Sequence, residues 1–77
     1  MEYAMLDTVV LLRDIPDHGL RAGDLGAVVE LFPPDSLEVE FVDASGRTTA
    51  LVVLRTSEVR SIADTDVVAV RTGSRSA

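Results

Sequence analysis

Cysteine, lysine and tryptophan are absent from this chain, and its only aromatic side chains are Tyr3, Phe32 and Phe41. Without cysteine there is no disulfide, no thiolate zinc site and no cysteine nucleophile, and a reducing compartment is the expected home. With so few aromatics the core must be built from Val, Leu, Ile and Ala. The same scarcity argues against a proline-rich peptide groove, which needs several exposed rings to hold its ligand. No apolar span approaches the roughly 20 residues of a membrane helix, and no basic segment leads into a shorter one. Neither membrane crossing nor export is signalled, so a cytoplasmic location is expected.

Positive charge is also scarce. Seven arginines stand against thirteen carboxylates in 77 residues, for a net charge of −6. Nucleic-acid binders draw affinity from basic side chains that displace counterions along the phosphates, and this chain starts with the opposite field. The balance argues against a nucleic acid and for a basic protein as partner, beyond the solubility that net charge gives any small protein. A chain of this length has room for one core and removes only about 60% of its unfolded surface from water.

What the chain does have is a series of short apolar runs separated by turn residues. The stretch Leu20-Arg21-Ala22-Gly23-Asp24-Leu25-Gly26-Ala27-Val28-Val29-Glu30-Leu31-Phe32 reads as a tight glycine turn feeding a strand that Pro33-Pro34 stops. Before it, residues 7–13 form a Val-rich run too short for a typical helix, a strand buried on both faces. Tyr3 and Leu6 are placed to cap one end of the core. Residues 14–22 hold Pro16 and Gly19 and form a loop. Leu37-Glu38-Val39-Glu40-Phe41-Val42 alternates as a third strand with Leu37, Val39 and Phe41 inward. Asp43-Ala44-Ser45-Gly46 has the residues of a type I turn closed by a left-handed glycine. Residues 47–54 make a fourth strand, 55–58 a single helical turn started by a hydroxyl side chain, and 59–62 a fifth strand.

Five short strands with one helical turn before the last describe an all-β fold, a small five-stranded SH3-like barrel over residues 1–63. Residues 64–71, with Val67-Val68-Ala69-Val70, supply a further edge strand for the same molecule or a contact for a homodimer. Residues 72–77 are expected to be disordered.

The runs Leu6-Asp7-Thr8-Val9-Val10-Leu11, Arg13-Asp14-Ile15-Pro16-Asp17-His18-Gly19-Leu20, Gly23-Asp24-Leu25-Gly26-Ala27-Val28-Val29 and Val39-Glu40-Phe41-Val42 occur in that order. Together they resemble a bacterial family of small proteins, domain of unknown function 4926, over about residues 5–62. The resemblance implies an SH3-like barrel and no established activity. The Gly-x-x-Gly-x-Val pattern is also similar to the KOW segment of ribosomal and transcription proteins and to the barrel of the nitrile hydratase beta subunit. These imply two alternatives, a nucleic-acid-associated module and an accessory barrel of a larger enzyme.

Catalytic chemistry finds little footing. His18, the one histidine, lies near Asp14, Asp17 and Asp24, but no serine beside it supplies a nucleophile, so a loop role outweighs a general base. The same four residues lack the carboxylate spacing of a calcium loop and the paired ligands of a zinc site. Gly23 and Gly26 fall short of a dinucleotide fingerprint, and no helix follows them. No catalytic residue, metal or cofactor is therefore expected.

The informative residues are Glu30, Glu38 and Glu40. If the second and third strands pair with Glu30 opposite Glu40, then Val29 meets Phe41 and Leu31 meets Val39 inside. The three glutamates then share the outer face with Val28, Phe32 and Val42. Like charges directly opposite cost stability, and such a face suits a partner with basic and apolar surface. The expected function is non-catalytic protein binding, neutralising or docking onto a basic partner as antitoxins and immunity proteins do.

Overall fold

The computed structural model describes residues 1–43 and 45–62. Five strands, β1 (Thr8–Leu11), β2 (Leu25–Phe32), β3 (Ser36–Val42), β4 (Thr48–Arg55) and β5 (Val59–Ser61), form one antiparallel sheet in the order β4-β3-β2-β1-β5. The only helical elements among the described residues are two single 3-10 turns, Pro16–His18 and Thr56–Glu58. The fold is all-β. Residues 64–77, with the expected extra strand and tail, lie outside the described residues.

β4 and β5 are the two edges of the sheet, four strand spacings apart, which would be about 19 Å if the sheet were flat. Yet only the turn Thr56–Glu58 joins them, and at about 2 Å of rise per residue it spans well under that distance. The sheet must therefore curl until its edges approach at this end. This barrel-like shape and strand order agree with the SH3-like expectation, although the ladder stays open. All five strands feed one core cluster: Val9 and Leu11, Val28, Leu37, Val39 and Phe41, Ala50 and Leu54, and Val59. Tyr3, Ile15 and Leu20, from outside the strands, belong to the same cluster.

The register of β2 departs from simple alternation. Gly26 lies opposite Phe41 and Val28 opposite Val39, but beyond them Glu30 lies opposite Glu38 and Leu31 opposite Leu37. Val29 is thus an extra residue, a β-bulge, and it switches the inward parity of the strand from even to odd. The expected pairings fall with it. Glu30 faces Glu38 and not Glu40, Phe41 meets Gly26 and not Val29, Leu31 meets Leu37 and not Val39, and Val28 is a fully buried core residue and not part of the outer face.

Gly26 anchors this register. A Cβ there would lie 2.9 Å from Phe41 Cε1 and closer still to Val39 Cγ1, so the position admits no side chain. Its partner in the turn has a different reason to be glycine: Gly23 holds φ at +98°, a conformation other residues adopt only under strain. Its N–H donates to the Leu11 carbonyl at 2.7 Å, tying the loop back to β1.

β1 is buried on both sides, as its composition suggested, with Val9, Val10 and Leu11 all under 4% exposed. Leu6 is not a core cap. It stands at φ +72° in the turn between Ala4 and Asp7 and is 74% exposed, while Tyr3 is the residue that packs inward. The final 3-10 turn is not started by a hydroxyl. The Glu58 carboxylate instead reaches back to accept the Arg55 N–H at 2.8 Å, satisfying a donor that the turn leaves open.

Candidate functional site

The outer face of the sheet is built by the alternation that fills the core. In β3, Leu37, Val39 and Phe41 point inward, so Glu38, Glu40 and Val42 point outward. Pairing extends this face sideways. Glu38 lies between Glu30 of β2 and Val53 of β4, and Glu40 lies between Ala27 and Leu51. Phe32 continues the face opposite Ser36. Five of the six residues expected to share the outer surface do so, Glu30, Glu38, Glu40, Phe32 and Val42, and Val28 does not.

Two residues of this face escaped the sequence reading. Leu51 and Val53, more than half exposed, stand beside Glu40 and Glu38. The signal was present toward the end of 48–54, apolar on both faces, only one of which the core can cover.

Among the described residues, neither Glu30 nor Glu38 forms an ion pair, and the Glu40 carboxylate accepts one hydrogen bond, from the Thr48 hydroxyl at 2.7 Å. Glu30 and Glu38 are therefore like charges directly opposite each other on neighbouring strands. Such pairs destabilise a sheet. The apolar residues around them, Phe32, Val42, Leu51 and Val53, are 43 to 58% exposed. At the lower end of the face a shallow groove of about 190 Å³ runs over Ala27 and Gly26 between Thr8 and Glu40. It shares Leu25 and Val42 with a second groove, of about 310 Å³, that ends at Asp24 and Asp43.

Other carboxylates of the chain are occupied in building turns. Asp14 accepts the Ala22 N–H at 2.8 Å and Asp24 the Arg21 N–H at 2.9 Å, which shapes the loop around His18. Asp43 accepts the Ser45 hydroxyl and the N–H groups of Ser45 and Arg47, and these bonds, the hydroxyl first, hold its pKa below the usual aspartate value. Glu58 is lowered likewise, first by the Arg55 N–H and then by the Arg13 guanidinium. His18 sits exposed on its 3-10 turn. Among the described residues no three histidine, aspartate or glutamate side chains gather as metal ligands.

Arg13 and Arg55 both act on Glu58 at the corner between β4 and β5. Arg55 is also engaged by Asp35, while Arg47 precedes β4 at the end opposite Arg55, about 26 Å away along the strand. No helix among the described residues is long and apolar enough to cross a membrane.

Fold and face together define a small all-β domain of one curled antiparallel sheet that presents an acidic and apolar surface. The chain belongs to the family described as Domain of unknown function (DUF4926), whose model matches residues 5–61. No curated protein matches it, and no solved structure does.

Proposed function

We propose that this protein is a non-catalytic, cytoplasmic binding module whose outer sheet face docks a basic partner protein, neutralising or escorting it. The observation that carries the reading is the Glu30–Glu38 pair, two carboxylates placed opposite each other within exposed apolar surface and without an ion pair among the described residues. Arginines or lysines of a partner would relieve that repulsion, and its apolar side chains would cover Leu51, Val53, Val42 and Phe32. The net charge of −6 supports a protein over a nucleic acid, because affinity for a phosphate backbone comes from basic side chains.

The test is affinity capture from the cell's own extract at low and moderate salt, with the wild-type chain and the Glu30→Gln/Glu38→Gln/Glu40→Gln variant. The reading expects one stoichiometric basic protein that the wild type retains at low salt, that moderate salt releases, and that the variant does not hold. Retention of RNA or ribosomal material would favour the KOW-like alternative. A metal-bearing catalytic subunit held equally by both chains would favour the accessory barrel.

A further inference from the structure

The two edges of the sheet are unequal. β5 has three residues, one of them Arg60, and a short charged edge resists pairing with other chains. β4 has eight, and from Thr48 to Leu54 it carries neither a charge nor a proline. Among the described residues it is hydrogen-bonded to another strand only on the β3 side. Leu51 and Val53 stand exposed along it. Natural sheets blunt a long edge with lysine, proline, an inward-pointing charge or a bulge; β4 has a bulge at Thr49, near its start, and none of these devices from Ala50 to Leu54.

We propose that the free edge of β4 pairs with β4 of a second copy of this chain, antiparallel about Val52, to make one continuous sheet. That register sets Leu51 against the second copy's Val53 and Val53 against the second copy's Leu51, so each exposed apolar side chain gains an apolar neighbour on the same face. The arrangement is isologous, as a closed dimer requires. Charge selects this occupant over a basic strand: the glutamates of the outer face lie on β2 and β3 and none lies on β4, so the edge offers a cation nothing to pair with. Nor does the net charge forbid self-pairing. The two β3 strands would lie three spacings apart, about 14 Å, beyond the screening length of about 8 Å at physiological salt. A two-fold axis perpendicular to the sheet would leave both acidic faces on the same side of the dimer.

The experiment is sedimentation of the full chain over a wide concentration range, together with backbone amide exchange in β4. The mass is expected to rise from one chain toward two as concentration increases, and amides of 49–54 should become more protected in step. Leu51→Lys/Val53→Lys, two substitutions at exposed positions, should abolish the rise, while Leu12→Lys, at an exposed position away from the edge, should preserve it. A monomer at every concentration overturns the proposal. So does β4 protection that is complete in the dilute monomer, which would mean that the chain's own residues cover the edge. A dimer that survives the double variant, or one that Leu12→Lys abolishes equally, places the contact elsewhere and overturns it too.

Discussion

Where β4 turns into β5, the Glu58 carboxylate accepts the Arg55 N–H and binds the Arg13 guanidinium, whereas on the outer face Glu30 and Glu38 stand opposite each other with no ion pair among the described residues. The chain has arginines and places some of them well. Arg13 closes the corner that curls the sheet, and Arg55 ties the end of β4 to Asp35 ahead of β3. The contrast separates carboxylates that build the fold from carboxylates that the fold displays. The first kind should cost stability when removed, and the second should not.

The largest effects belong to the interior on which both regions rest. Phe41→Ala empties the centre of the cluster and should cost about 3–5 kcal/mol by denaturant titration, a large share of what so small a domain holds. Gly26→Ala should cost about 1–3 kcal/mol despite adding only a methyl, because Val39 and Phe41 occupy the space. The same melt on a surface control such as Thr8→Ala should move little.

Next comes the corner. Glu58→Ala should lower stability by about 1–2 kcal/mol, since the Arg55 N–H and the Arg13 guanidinium both lose their acceptor. Because the folded pKa of Glu58 lies below its unfolded value, its contribution is complete above the unfolded pKa and fades as pH falls through the folded one. Acid titration of stability in wild type and Glu58→Ala should therefore converge at the acid end and separate toward neutral pH. If the two curves stay parallel throughout, the corner is not held by the carboxylate's charge.

Most of this fold was legible because each strand is a short apolar run between turn residues, and the strand bounds needed only small adjustment. The face was legible in β3, where Leu37-Glu38-Val39-Glu40-Phe41-Val42 alternates without interruption. It was misread in β2 because Val28 and Val29 are equally apolar and β-branched, so hydropathy cannot say which points inward. Space decides it. Gly26 lies under Phe41, which sends Val28 inward, and the bulge at Val29 then returns Leu31 to the core. The exposure of Leu51 and Val53 depends on which face of β4 the core covers, and a run apolar on both faces does not encode that.

The smallest expected effect bears most directly on the account, which holds that the outer face carries repulsion the fold does not relieve. Denaturant titration of wild type and Glu38→Gln at low and high salt measures it. The variant should be more stable than wild type by about 0.2–1 kcal/mol at low salt, and the difference should shrink as salt screens the pair. A variant less stable than wild type, or a difference indifferent to salt, would mean that Glu38 is paired in solution and that the face is not kept for a partner.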